Sequence, residues 1–451
     1  MLAFFLAQFR AGLLVSFVGR IRQSRHPAMA LVMPDGAYAY PAYDLTATPT
    51  TDLEAVGRIR QRRHPAMALV TPDGAYAYPA YDRFTAISHM LFALWCMQSP
   101  FKKDTPMTLH CAFIGFGKST TRYHLPYVLN RKGSWHVAHI FRRHAKPEEQ
   151  APIYSHIHFT SDLDEVLNDP QVKLVIVCTH ADSHFDYARR ALEAGKNVLV
   201  EKPFTPTLAE AKVLFELARS KGLTVTPYQN RRFDSCFLTA KKAIESGKLG
   251  EIVEVESHFD YYRPVAETKP GLPQDGAFYG LGVHTMDQII SLFGRPDHVA
   301  YDIRSLRNKA NPDDTFEAQL FYGDLKAIVK TSHLVKIDYP KFIVHGTRGS
   351  FVKYGIDQQE TSLKANIMPG EPGFAADDSV GLLEYINDEG VTVKEEMKPE
   401  VGDYGRVYDA LFETITHGVP NYVKESDVLT NLEILERAFE QASPATVTLA
   451  K

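Results

Sequence analysis

The run Leu-Val-Ile-Val-Cys at residues 174–178 is apolar at every position. A strand of that kind is buried on both faces, as in the centre of a parallel sheet. Parallel neighbours need crossover connections, and the surrounding sequence supplies them. Leu109 opens a short apolar strand that ends in a turn at Gly115–Gly117. Thr120–Asn130 has helical character, with Pro126 falling in its first turn or kinking it. Trp135–Phe141 is a second strand. Phe185–Ala194 is a helix stopped by Gly195, Asn197–Val200 a strand, Thr207–Lys221 a helix and Leu223–Pro227 a strand. Strands and helices alternating at this length predict an α/β Rossmann domain with a doubly wound parallel sheet.

Two nucleotide chemistries compete for the first turn, Phe113–Arg122, FIGFGKSTTR. Its end, Gly-Lys-Ser, matches the end of a triphosphate loop. That loop needs a glycine where this chain has Ala112, inside the strand, so the wrap around the phosphates is missing. A dinucleotide turn needs Gly-x-Gly-x-x-Gly/Ala. Gly115 and Gly117 fit, and Thr120 stands third, where its bulk is expected to hold the helix slightly off the sheet. Gly115, Phe116, Gly117, Lys118 and Ser119 are therefore the expected pyrophosphate turn. After the second strand, where NAD-preferring sites carry Asp or Glu, the chain reads Phe141-Arg142-Arg143. Two guanidinium groups suit a 2′-phosphate, which favours NADP over NAD; the bland alternative is a solvated arginine pair.

The rest of the composition excludes other classes. A net charge of -4 gives no overall pull toward nucleic acid. Four scattered cysteines form no CxxC pair or disulfide framework, which points to a reducing, cytoplasmic setting. The apolar opening carries Arg10 midway and no preceding basic residue, against a membrane anchor or signal peptide. Val18–Asp44 and Val56–Asp82 are near-identical copies that differ only at Ser24/Arg62 and Met33/Thr71. Solenoid repeats drift and need about three units to bury a face. The copies resemble translated palindromic intergenic DNA, so residues 1–106 are expected to be a non-native or disordered extension, with the native chain opening at Met107. Mass spectrometry of the natural N-terminal peptide tests this.

Further along, CTHADSHFDYARRALEAGKNVLVEKPFTPTLAEA resembles the glucose–fructose oxidoreductase/inositol dehydrogenase family. Gly195–Pro203 is similar to that family's Ala-Gly-Lys…Glu-Lys-Pro signature, as are TPYQNRRFD around Asn230 and GLGVHTMDQ around His284. The similarity runs from about residue 107 to the end. It implies a Rossmann domain at 107–228, then at 229–451 an α+β domain with an open, mostly antiparallel sheet and C-terminal helices. Ile252–His258 and Thr315–Tyr322 alternate as strands should, and Gly346–Gly349 reads as a hairpin turn. Helices are expected near Val407–His417 and Val428–Gln441. The resemblance also implies a homo-oligomer formed through the second sheet.

Hydride transfer at a carbinol needs an oriented nicotinamide, a proton acceptor and a cation for the developing alkoxide. Lys202 follows a strand at the carboxyl edge, where such folds bind ligands, and is the expected cation. The resemblance makes His284 the acid/base, with Asp287 one turn on to orient it or to cap elsewhere. It places Thr179, His180, His184, Glu201 and Asn230 at the cofactor. Tyr228, Arg231 and Arg232 are expected at the mouth between domains, one arginine packing structurally and the other meeting an anionic or hydroxyl-rich substrate. His180 and His184 have helical zinc spacing but no third ligand, so no metal is expected. The family's polyol-oxidising members carry Asp four residues before this histidine, and here that residue is Gly280. Tyr279 is the candidate substitute donor. The expected activity is NADP(H)-dependent oxidation or reduction of a sugar, polyol or related carbonyl; the alternative is a non-catalytic nucleotide-sensing regulatory protein.

Overall fold

The computed structural model describes residues 107–440 and 443–444, so the expectations about the duplicated segment and the chain start lie outside the described residues. Strands β1 (Leu109–Ile114), β2 (Trp135–Phe141), β3 (His158–Thr160), β4 (Val172–Val177), β5 (Asn197–Val200) and β6 (Val225–Pro227) form a parallel sheet. Its order is β3-β2-β1-β4-β5-β6. The order reverses between β1 and β4, which opens the crevice where doubly wound folds bind ligands. The connecting helices are α1 (Leu125–Leu129), α2 (Leu163–Asn168), α3 (His184–Glu193) and α4 (Leu208–Ser220). Local chemistry sets their ends. Asp162 accepts from the N–H of Asp164 at the start of α2, and Thr207 and Glu210 cap α4 reciprocally. Pro126 lies in α1 directly after a π-helical turn, Thr120–His124, which replaces the single helix expected over 120–130. A proline cannot donate to the carbonyl four residues back, and a widened turn accommodates that loss.

The second sheet comprises β7 (Ile252–His258), β8 (His298–Arg304), β9 (Thr315–Tyr322), β10 (Leu325–Ser332), β11 (Phe342–Gly346), β12 (Gly349–Lys353), β13 (Gly381–Ile386) and β14 (Thr392–Met397). Its order is β14-β13-β12-β11-β7-β10-β9-β8. Every neighbouring pair is antiparallel except β7 with β10. Around it run α5 (Ser235–Glu245), α6 (Val283–Phe293), α7 (Gln359–Lys364), α8 (Arg406–His417) and α9 (Glu425–Arg437). The last helix ends short of the expected Gln441.

Alternation along the first sheet makes two cores. Ala112, Ile114, Val175, Val177, Val198 and Val200 face α2, α3 and α4. Cys111, Phe113, Leu174, Ile176 and Leu199 face the other way, where α1 and α8 cover them through Leu125, Val128, Val407, Tyr408 and Leu411. A helix from the end of the chain thus completes the first sheet, fastened where the Trp135 indole N–H donates to the Tyr408 carbonyl at 3.1 Å. The second sheet buries Val255, Phe316, Ala327, Val329 and Phe342 against α5 and α6. No helix among the described residues is long and apolar enough to cross a membrane.

Candidate active site

The turn after β1 is built for close approach. Gly115 adopts φ 110°, and a Cβ there would lie 2.4 Å from the Cys178 carbonyl oxygen. A Cβ on Gly117 would meet nothing in the protein, leaving open the space a pyrophosphate needs above the unpaired N–H groups of the first helical turn. These residues fit a dinucleotide. Thr120, the departure from the glycine pattern, is fully buried and donates its hydroxyl to the Gly115 carbonyl at 2.8 Å, while the π turn that begins there makes room for it. Phe116 is buried against Tyr154 and Phe159, and Lys118 is exposed.

Beneath the turn lies a buried acid. Ser119 donates to Glu201, whose other oxygen accepts from the Lys202 N–H at 3.0 Å. His124 Nε2 stands 3.1 Å from Glu201, and its Nδ1 2.8 Å from the Tyr408 hydroxyl. Burial works to raise the Glu201 carboxyl, but His124, then Lys202 and Ser119, outweigh it and hold it down at about 2. Glu201 is therefore an ionised strut under the turn and behind Lys202. Tyr228, expected at the cleft mouth, instead stacks on His124 with ring centroids 3.9 Å apart and donates to the Tyr123 carbonyl. His184, expected at the cofactor, is 1% exposed and sits between the carbonyls of Pro203 and Thr179 at 2.8 and 3.2 Å, pinning the two loops that flank the site. His180 is exposed, and Thr179 accepts from the Ser183 hydroxyl at 2.8 Å. No group of three or more His, Cys, Asp or Glu among the described residues could hold a metal ion.

At the end of β2, Arg142 is not a free cation. Its Nε and Nη2 donate to both oxygens of Glu149 at 2.7 and 2.9 Å. Arg143 is exposed. Lys146 donates its ammonium to the Phe116 carbonyl at 2.6 Å. Glu149 and Lys146 escaped sequence reading, although Pro147 followed by two glutamates marks a turn start that draws an acid back toward its own origin.

The other end of the cleft concentrates cations. Lys202 precedes a cis peptide bond to Pro203, and its ammonium makes no ion pair among the described residues. Burial, then Arg231, depress it, against Glu201 and Glu360. His284, at the start of α6, is 5% exposed with Nδ1 enclosed and unpartnered. Burial first, then the charges of Lys202, Arg231 and Lys341, push its imidazole well below the ordinary range, so it is neutral. Arg231 has only long contacts: Asp234 and Tyr404 at 3.4 Å, Glu360 at 3.3 Å, and the Phe259 ring at 4.8 Å. Its Nε is buried without a partner. Glu360 also accepts from Tyr123 at 2.8 Å. Lys341 is 3% exposed and donates to Ser257 at 3.1 Å. Asn230 is buried in the turn before Arg231.

The remaining candidates lie in the packing around the cleft, where two alternatives left open by the sequence are resolved and one expectation, Tyr279, is corrected. Arg232 pairs with both oxygens of Asp287 at 2.7 and 2.8 Å and reaches Asp427 at 3.1 Å, so Asp287 anchors an arginine rather than orienting His284. Arg232 is the structural member of the arginine pair. Tyr279 is 3% exposed and stacks on Phe439, with ring centroids 5.9 Å apart, so it is no substitute donor. A Cβ at Gly280 would meet nothing within 4 Å, and Gly280 lines a cavity of about 500 Å³ with Tyr261, Arg307 and His333.

Comparison with known proteins agrees with this architecture. Residues 109–229 match the description "Oxidoreductase family, NAD-binding Rossmann fold", and residues 241–449 match "Oxidoreductase family, C-terminal alpha/beta domain". The uncharacterized oxidoreductase YhhX of Escherichia coli K12 is 93% identical over 345 residues, covering 76% of this chain and all of YhhX. The scyllo-inositol 2-dehydrogenase (NADP(+)) IolW of Bacillus subtilis is 33% identical over 342 residues, 74% of this chain and 94% of IolW. A crystal structure of an oxidoreductase from Bacillus cereus, 49% identical, superposes with a TM-score of 0.74 over 76% of this chain and 99% of that one. With both domain descriptions matched in order and a near-identical oxidoreductase covered in full, the chain belongs to the Gfo/Idh/MocA oxidoreductase family.

Proposed function

We propose that the protein is an NADP(H)-dependent oxidoreductase acting on a CH–OH group of a sugar, polyol or related carbonyl compound. The observation that carries this is the glycine turn at Gly115–Gly117 in the same chain as Lys202, which has no ion-pair partner among the described residues, and His284, which is 5% exposed with an enclosed, unpartnered Nδ1. Gly115, Gly117, Lys118 and Ser119 cradle the pyrophosphate, and Arg143, the exposed member of the arginine pair, faces the adenosine ribose. When bound, the nicotinamide supplies or accepts the hydride. Lys202 holds the reacting oxygen and stabilises negative charge on it. His284, being neutral, takes the hydroxyl proton in oxidation and returns it in reduction. Arg231, with an unpartnered Nε, orients the rest of the substrate. The name of IolW supports both the NADP preference and a polyol-like substrate.

Nicotinamide fluorescence titrations with NADPH and NADH, followed by a sugar, polyol and aldehyde panel, test this. NADPH is expected to bind more tightly and at least one panel member to turn over; tighter NADH would overturn the NADP assignment. Gly280 favours a second reading, a nucleotide-sensing regulatory protein, because residue 280 itself supplies no carboxylate one helical turn before His284 to share the proton. Tight nucleotide binding with no turnover across the panel supports that reading instead. We also read a homo-oligomer through the outer face of the second sheet, where Ile343, Val352 and Leu382 stand in register across β11, β12 and β13 and Leu382 is 51% exposed. Light scattering on a Leu382→Lys variant, expected to dissociate, checks it.

A further inference from the structure

The position after β2 lacks the acid that reads a ribose hydroxyl, yet the fold brings one there. Glu149 returns on the short turn Pro147–Gln150, and three N–H donors fix its carboxylate: Arg142 Nε at 2.7 Å, Arg142 Nη2 at 2.9 Å and the Lys146 backbone at 2.8 Å. The loop that carries it is moored to the pyrophosphate turn, because the Lys146 ammonium donates to the Phe116 carbonyl at 2.6 Å. Below lies an aromatic bed of Phe116, Tyr154 and Phe159, with the Arg142 guanidinium 6.0 Å from the Phe159 ring. The side chains of Arg142 and Glu149 are only 14% and 6% exposed.

We propose that Glu149 sets which dinucleotide the cleft takes: its carboxylate occupies the guanidinium edge of Arg142 that a 2′-phosphate would claim, and offers an acceptor to a 2′-hydroxyl. This rests on the dinucleotide reading above and deepens it. A bidentate, largely enclosed pair resists exchange, since an incoming phosphate must replace two charge-assisted hydrogen bonds and meets a fixed negative charge. A ribose hydroxyl asks for neither change. Two adjacent arginines therefore deliver less discrimination than their charges suggest: Arg143, the cation left exposed, favours NADPH, and Glu149 narrows that preference.

The test is binding, followed by nicotinamide fluorescence, of NADPH and NADH to the full chain and its Glu149→Gln, Arg142→Gln and doubly substituted variants, with thermal melting to confirm that each is folded. Glu149→Gln keeps the shape and an acceptor oxygen for Lys146 while removing the charge. It is expected to shift the NADPH-to-NADH affinity ratio at least tenfold toward NADPH, and the shift is expected to vanish once Arg142 is Gln. Weaker NADPH binding to Glu149→Gln would overturn the proposal, because the carboxylate would then merely aim Arg142 at the phosphate. Equal changes for both cofactors would overturn it too. The readout needs no turnover, so the expected shift without activity on any sugar sinks the hydride reading and leaves this one standing. A wild-type chain that binds neither nucleotide sinks both.

Discussion

The two arginines of the turn after β6 face regions of opposite character. Arg232 points into the seam between α6 and α9, where Asp287 and Asp427 match its charge at hydrogen-bonding distance. Arg231 points into the cleft, where its carboxylate contacts are 3.3 Å or longer and one nitrogen has no partner. The same contrast runs through the site: Glu201 is saturated by Ser119, His124 and a backbone N–H, while Lys202 beside it is unengaged. Matched charge holds the framework, and unmatched charge gathers at the cleft. Leaving it so costs stability, which is why such groups cluster at functional sites.

Lys202→Ala puts the second half of that contrast under the greatest stress. It should lower kcat/KM on the best panel substrate by about 10³-fold, roughly 4 kcal/mol, with nucleotide affinity changed far less. Turnover that survives this substitution removes the catalytic assignment. Arg232→Leu strands two buried carboxylates and should cost about 3–5 kcal/mol of folding stability in denaturant titration. Arg231→Leu should cost about 1 kcal/mol of stability and appear instead as a raised KM. If the two arginines lose stability equally, the contrast fails.

Histidine 333 gives a smaller effect through pH. Both its ring nitrogens are enclosed without partners, and burial, then Arg307 and Arg263, bring it down to about 4, against Asp314 and Asp260. Its folded value lies below the ordinary 6.5, so the unfolded chain binds the proton more readily. The stability is present above pH 6.5 and is lost as pH falls from there toward 4. Allowing for its partial exposure, His333→Gln should flatten the decline in stability between pH 7 and pH 5 by about 1 kcal/mol, read from thermal melts at both values. The smallest effect belongs to Gly280→Asp. With open space at the Cβ, it should change stability by less than about 1 kcal/mol, and a gain in polyol oxidation would show that the missing carboxylate limits the wild-type site.

Most of the framework was legible because it depends on periodicity. Trp135–Phe141, Asn197–Val200, Ile252–His258 and Thr315–Tyr322 are strands over the residues their patterns predict. The dinucleotide turn was legible too, since glycine spacing is a local requirement. Facing was not. Tyr228 and Tyr279 turn inward because of partners, His124 and Phe439, far away in the chain. The ion pairs of Arg232 with Asp287 and Asp427, of Arg231 with Glu360 and of Glu201 with His124 also bridge long separations, and no local pattern encodes which of two adjacent arginines finds a close carboxylate. Glu149 lies only seven residues from Arg142, but its return depends on a turn whose direction the sequence leaves open.

The covering of the first sheet by α8 has a consequence for how the chain is made. Phe113, Trp135 and Ile176 stay partly bare until a helix beyond the whole second sheet leaves the ribosome. The nucleotide-binding half, although translated before the second sheet, keeps part of an apolar face uncovered until this late helix is made.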